Sequence, residues 1–237
     1  MFGKKLVIGL VCSLALIGLT AIGYSLFSQL GCEGQMVNIS FHPSPPQEIW
    51  GERFVAQSFV APRDDLNSID LLLKTYRRRN TGEVTFRLLE MPPDFDSPFQ
   101  GIELYSTTFE ALEASDQSWY RFRFPAISDS AGKTYLLILQ SPNSKPGNAI
   151  TVGGIDQDKY PLGSAFAGSV PIVGDIAFRA CFQMSVVEKM EFLANQLTRH
   201  RPGLWGNPAF YVIILGGYVF LLTGFFWSLI RFGLDRS

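Results

Sequence analysis

A chain of 237 residues with a net charge of −1 lacks the basic field that a general nucleic-acid binder needs. Lys4 and Lys5 carry +2 and the tail, through Arg231, Asp235 and Arg236, carries +1, so the middle of the chain holds −4. Neither DNA nor RNA is an expected partner.

The first feature in chain order is an uncharged apolar run from about Leu6 to Ser28. Roughly 20 such residues cross a hydrocarbon core, and backbone inside lipid must satisfy its own hydrogen bonds, which predicts a helix. The basic start also suits a cleaved signal peptide. The run is longer than a usual signal-peptide core, however, and no A-x-A site follows it. Gln29 also stands where a lipoprotein box wants leucine. Residues 1–31 are therefore read as an uncleaved anchor, with Cys12 as a small packing residue and Gly9 and Ser13 as a small-xxx-small pair for helix packing.

Residues 32–184 read as short strands separated by turns. Ile69, Leu71 and Leu73 alternate with Asp70, Lys74 and Tyr76, and Val84, Phe86 and Leu88 alternate with Glu83, Thr85 and Arg87. Tyr120, Phe122 and Phe124 alternate with Trp119, Arg121 and Arg123, while Ile176, Phe178, Ala180 and Phe182 form one apolar row. Period-2 runs of this kind predict sheets with one face toward a core. Phe54–Val60, Gly101–Phe109 and Ala149–Gly154 are further strands, and Lys133–Gln140, apolar on both faces, should be central. Asn80-Thr81-Gly82, Met91 to Asp94, Asp129 to Gly132 and Ser141-Pro142-Asn143 supply the turns. Eight or nine strands over about 150 residues predict an all-β jelly-roll sandwich.

Residues 185–207 hold an amphipathic segment in which Val186, Val187, Met190, Leu193, Ala194 and Leu197 recur at helical spacing. It either lies along a membrane surface or packs on the sandwich or a partner. Pro202-Gly203 and Asn207-Pro208 interrupt the chain before a second uncharged run, about Ala209 to Ile230, within residues 208–237. Trp205, Phe210 and Tyr211 at one end and Trp227 at the other suit the two interfaces of a bilayer, and Gly217 and Gly224 share a helical face for packing. Two transmembrane helices thus flank the β-domain. Lys4, Lys5, Arg231 and Arg236 favour cytoplasmic termini at the inner (plasma) membrane of a bacterium, with the central domain periplasmic or extracellular; Arg199 and Arg201 dissent. In an oxidising compartment Cys32 and Cys181 are able to close a disulfide; otherwise they are two free thiols.

Candidates for chemistry are few. Trp119, Arg121 and Arg123 face away from the expected core, and Lys74, Tyr76 and Arg87 are expected on the same side. Aromatic faces stack on sugars and guanidinium groups bind anions, so this set is a candidate glycan-binding face; the competing reading is a solvated or partner-docked face. Tyr160 and Trp50 are weaker sugar candidates. Arg77-Arg78-Arg79 precedes a turn, either touching anionic polymers or simply exposed. Asp64, Asp65, Asn67, Asp70 and Asp175 are oxygen donors for a calcium ion, without EF-hand spacing. The two histidines, His42 and His200, lie in no nucleophile motif, so no catalytic residue, no enzyme and no cofactor are expected.

The stretches Gln57-Ser58-Phe59, Leu66 to Asp70, Arg79 to Gly82, Trp119 to Pro125, Asp129 to Lys133 and Gly174 to Arg179 resemble jelly-roll modules of bacterial membrane proteins, including some polytopic glycosyltransferases. Those modules are similar to galactose-binding-like and carbohydrate-binding domains. The resemblance implies an extracytoplasmic β-sandwich and leaves out any catalytic portion. The expectation is a non-enzymatic accessory or interaction subunit of a membrane or envelope complex, bound to the bilayer and to a membrane-protein partner or a second copy of itself. The alternative is a glycan-binding module serving envelope polysaccharide assembly or export.

Overall fold

A computed structural model describes residues 32–33, 48–92, 98–155, 157–199 and 201–235, together with positions 18, 21 and 23. Apart from those three positions, the first apolar run lies outside the described residues, as do Gly9, Ser13, His42 and His200. The chain divides into two compact units, Cys32–Gln183 and a second comprising Met1–Gly31 with Met184–Ser237.

The first unit is built from antiparallel strands. They are β1 (Cys32–Glu33), β2 (Val55–Val60), β3 (Leu66–Lys74), β4 (Glu83–Met91), β5 (Ile102–Glu110), β6 (Ser118–Ile127) and β7 (Thr134–Gln140). Six shorter ones follow: β8 (Thr151–Val152), β9 (Gly154–Ile155), β10 (Ala165–Ala167), β11 (Val170–Ile172), β12 (Asp175–Ile176) and β13 (Phe178–Phe182). Sheet I runs β1-β13-β3-β6, with β8 also paired to β3; sheet II runs β11-β10-β2-β7-β4-β5; β12 and β9 form a separate pair.

Alternation along the strands decides which residues fill the space between the sheets. On β3, Ile69, Leu71 and Leu73 are buried without exposure, and on β6, Phe122 and Phe124 are buried with them. Their partners come from sheet II. Phe86 of β4 stacks on Phe122 of β6 at 4.1 Å, Phe109 of β5 stacks on Tyr120 of β6 at 4.4 Å, and Phe59 of β2 meets Phe178 of β13 at 5.4 Å. Offset and tilted rings at these separations add to the area they bury, so an aromatic seam joins the two sheets.

The strand apolar on both faces is β7, which lies between β2 and β4. Tyr135, Leu137 and Leu139 alternate with Leu136 and Ile138, and all five are buried. Leu136 and Ile138 join Ala56 and Leu89 in a second small cluster, covered by Phe54, Met91, Phe99 and Phe166. Phe99 belongs to a 3-10 turn, Pro98–Gln100, and its ring makes edge contacts with Phe54 at 5.4 Å and Phe166 at 5.3 Å. The next residue is Gly101, where a Cβ would stand 2.5 Å from the Glu90 carbonyl, so no larger residue allows this turn to fold back onto the sheet.

In the second unit, α1 (Val186–Thr198) begins with a capping box: the Ser185 hydroxyl accepts the Glu188 N–H at 3.3 Å and the Glu188 carboxylate accepts the Ser185 N–H at 2.6 Å. A 3-10 turn, Gly203–Gly206, leads to α2 (Pro208–Asp235). Asn207 caps α2 through its side-chain oxygen, which accepts the Ala209 N–H at 2.9 Å, and Pro208 occupies the first helical position, where its missing N–H is not needed. Pro208–Phe225 is long and apolar enough to cross a membrane. Among the described residues it is the single helix that meets that test.

Candidate functional site

The outer face of sheet I gathers four of the six residues of the expected glycan-binding face, Trp119, Arg121, Arg123 and Lys74, together with Asp70. Strand registry sets them in rows. Cys32, Cys181, Ser68 and Arg123 lie side by side across β1, β13, β3 and β6. The next row is Arg179, Asp70 and Arg121, and Leu72 faces Trp119 beyond it.

Asp70 is the centre of this face and only 3% exposed. Arg121 grips it in a two-pronged arrangement, donating Nε to Oδ1 at 2.6 Å and Nη2 to Oδ2 at 2.7 Å. Such planar fork-to-fork pairing is what a guanidinium offers and an ammonium does not. The hydrogen bond to Asp70 raises the Arg121 pKa, outweighing burial, which acts the other way. On the opposite side, Arg179 lays its guanidinium 3.9 Å above the Trp119 ring. Burial pushes the Arg179 pKa down, Asp70 pulls it up, and Arg121 adds to the lowering. A guanidinium on an aromatic face is attracted by the ring's quadrupole, so Trp119 and Arg179 hold each other in place.

Cys32 and Cys181 are joined as a disulfide across 149 residues of sequence. Arg121 Nη2 lies 3.6 Å from Cys32 Sγ, which links the disulfide to the carboxylate clamp. Cys32, Asp70 and Cys181 form the one grouping of three metal-ligating side chains among the described residues. Both sulfurs are joined in the disulfide, and each Asp70 oxygen accepts from Arg121.

Two expected members of the face are elsewhere. Arg87 is on β4 of sheet II, where its Nε pairs with Glu103 at 2.5 Å; alternation within one strand says which side a residue takes but not which sheet holds the strand. Tyr76 lies past the end of β3 in a turn with φ of +58°, under the Arg78 guanidinium at 4.7 Å, because the strand stops at Lys74. Lys74 keeps its place at the end of β3, and Arg123 is the exposed guanidinium of the face.

The calcium candidates do not converge. Asp64 accepts the Ala131 N–H at 2.9 Å, Asp65 takes a positive-φ turn position, Asp70 is clamped by Arg121, and Asp175 is buried elsewhere. Asp64 and Asp175 accept backbone N–H groups, and Asp70 accepts from a guanidinium. The arginine triplet also separates. Arg78 turns inward to pair with Glu48 and to donate to the Ala149 carbonyl at 3.1 Å, whereas Arg77 and Arg79 are exposed. Trp50 stacks with Arg53 at 4.5 Å, and the Tyr160 hydroxyl bonds to the Val60 N–H and carbonyl, both at 3.1 Å. Gly217 and Gly224 lie on α2 with open space where a Cβ would stand.

Two carboxylates organise loops of the β-domain: Asp175, expected from the sequence only as a calcium donor, and Asp116, which the sequence does not single out. Asp175 accepts the backbone N–H groups of Lys159 at 2.7 Å and Tyr160 at 2.9 Å, while the fully buried Gln57 donates to it at 3.2 Å and accepts the Ile176 N–H at 3.0 Å. This network ties the loop before β10 onto β2, where Gly163 passes so close that a Cβ would lie 1.9 Å from the Ser58 carbonyl. That the Gln57 side chain is fully buried is a signal that only burial makes visible.

The second is Asp116. It accepts the Thr75 N–H at 2.7 Å and the Thr75 hydroxyl at 3.2 Å, and the N–H groups of Tyr76 and Arg77 also point to it. Tyr76 and Arg77 both have positive φ, so successive N–H groups converge in a concave nest that favours an anion. Burial pushes the Asp116 carboxyl up, but these hydrogen bonds outweigh it and hold the carboxyl below its usual range. A lowered folded pKa stabilises above the unfolded value, near 4, and that stabilisation is lost as the pH falls through the folded value. Asp116→Asn is therefore expected to cost about 1 kcal/mol at neutral pH. The difference from the parent chain should close in acid. Thermal melts at pH 7 and below pH 3 check this, and an equal cost at both would refute the charge-based account.

No protein-family model matches the chain, and no curated protein matches it either.

Proposed function

We propose that this chain is a membrane-anchored β-domain of jelly-roll type, held outside the cytoplasm, that works by binding a protein partner as an accessory or interaction subunit of a membrane or envelope complex. With β13 counted as the eighth strand, the sheets order as 1-8-3-6 and 2-7-4-5, which supports the jelly-roll reading. The apolar helix α2 supports a bilayer anchor, since from Pro208 to Trp227 it rises by about 29 Å, close to the thickness of a hydrocarbon core. The Cys32–Cys181 disulfide supports an oxidising compartment for the β-domain, with the termini on the other side of the membrane.

The observation that carries the binding role is how the surface is divided. The charged and aromatic groups of sheet I are engaged with one another, Arg121 on Asp70 and Arg179 on Trp119. Large apolar side chains stand exposed at the edges of sheet II instead: Ile102 and Leu104 on β5, and Val170 with Val173 on and after β11. Exposed apolar edges of this kind suit a protein partner better than a small substrate. A glycan would find one face of the Trp119 ring already taken by Arg179, which weighs against the sugar-binding alternative.

Purification of the full chain in mild detergent is expected to recover a membrane protein at fixed stoichiometry or a defined oligomer. Val170→Asp with Val173→Asp should release that partner without lowering the melting temperature of the β-domain. A monodisperse monomer with nothing bound, or a partner indifferent to both edges, would count against the proposal.

A further inference from the structure

We propose that α1 and the Gly203–Gly206 turn form an interfacial element lying in the plane of the membrane surface, its apolar side immersed among lipid headgroups and upper acyl chains. The inference rests on reading α2 as a membrane span. Along α1, Val186, Met190, Leu193 and Leu197 follow one another at helical spacing, with Val187 and Ala194 beside them. Glu188, Glu191 and Asn195 occupy the other side, with Phe192 beside them. An apolar stripe on a helix this short is normally covered in a folded protein. Here its first half is open: Val186 is 67% exposed, Val187 66% and Met190 43%. Leu204 and Trp205 of the following turn are exposed as well.

What covers the stripe is indicated by how α1 is tied to α2. Tyr211, one turn into α2, brings its hydroxyl to the Leu197 carbonyl at 3.2 Å and to the Trp205 carbonyl at 3.0 Å, and it faces Arg201 Nη1 at 3.5 Å. Trp205 and Phe210 meet edge to face at 5.0 Å, and Phe210 meets Tyr211 at 5.6 Å. These contacts hold the C-terminal end of α1 at the level where α2 enters the apolar layer. Trp and Tyr favour that level because one part of the ring is apolar and the other polar, and at that level Arg199 and Arg201, just before α2, would meet headgroup phosphates. A helix anchored there with an open apolar stripe finds lipid as its nearest apolar neighbour, in the manner of interfacial amphipathic helices.

The test places single spin labels on the full chain in nanodiscs of phosphatidylcholine with a minor share of phosphatidylglycerol, in a Cys12→Ser background. Labels at Val186→Cys, Val187→Cys and Met190→Cys report the stripe, and Glu188→Cys, Glu191→Cys and Asn195→Cys report the other side. Leu215→Cys and Val219→Cys report α2. Dissolved oxygen concentrates in lipid and a nickel chelate stays in water, so the ratio of their relaxation effects reads depth. The stripe positions are expected to favour oxygen several-fold over the polar positions, in phase with the helix. Stripe labels that favour nickel, or that are shielded from both agents as under a protein partner, overturn the inference. If Leu215→Cys and Val219→Cys still favour oxygen in that case, the span reading survives and only the interfacial helix falls; if they favour nickel, both fall.

Discussion

Replacing Cys181 with serine is expected to destabilise the β-domain by about 3–5 kcal/mol, because the bond it removes closes a loop of 149 residues in the unfolded chain. A cross-link of that span removes much of the configurational freedom of the denatured state. On the folded side β1 is two residues long and, among the described residues, pairs through Cys32↔Cys181 and Glu33↔Ala180. A melting temperature lower by on the order of 10 °C follows for a domain of this size. Cys32→Ser should match Cys181→Ser, and the double variant should be no worse than either, since all three lack the same bond. Thermal melts under oxidising and reducing conditions check this. A parent chain that melts at the same temperature with and without reductant would show that the disulfide contributes nothing.

Arg121→Ala should be nearly as severe, costing about 2–4 kcal/mol, for a different reason. It strips a carboxylate that is 3% exposed of both its donors, and a buried charge without a partner costs more than the pair ever contributed. Arg179, facing Asp70 across the strand pair, offsets part of that loss and keeps the figure below that of a fully isolated ion. Arg121→Lys should rescue little, because an ammonium cannot reproduce the two parallel bonds. Removing both charges, as Asp70→Asn with Arg121→Met, should recover a substantial part of the stability. The 3.6 Å approach of Arg121 to Cys32 adds a further expectation: loss of the clamp and loss of the disulfide should not be additive. Denaturant titration of these chains measures the clamp, and Arg121→Ala combined with Cys181→Ser measures its coupling to the disulfide. A double variant worse than Arg121→Ala alone would refute the reading of Asp70 as a buried charge in need of its partner.

Much of the β-domain was legible because burial obeys strand periodicity. The inward row Ile69, Leu71 and Leu73 and the apolar-on-both-faces character of β7 follow from side chains alternating across a sheet. The shortest strands were merged or missed. Ala149–Gly154 reads as one strand but divides into β8 and β9, which pair with different partners because the chain passes from β3 to β12 at Gly153. The candidate face was only half legible. Trp119, Arg121 and Arg123 are neighbours on one strand and stay together, whereas Arg87 went to the other sheet. The two most constraining partners, Arg179 for Trp119 and Asp70 for Arg121, are set by cross-strand registry.

What the sequence by itself determined is the local physics: an uncharged helix long enough for a bilayer, a set of strands with one apolar side, and an amphipathic segment beginning at a capping box. These depend on residues a few positions apart, so spacing suffices to read them. Only the tertiary structure decided which charges neutralise one another, which acids serve backbone amides, and that Cys32 and Cys181 meet on one sheet face. Those outcomes depend on residues tens to more than a hundred positions apart, brought into register by a topology that no local pattern encodes.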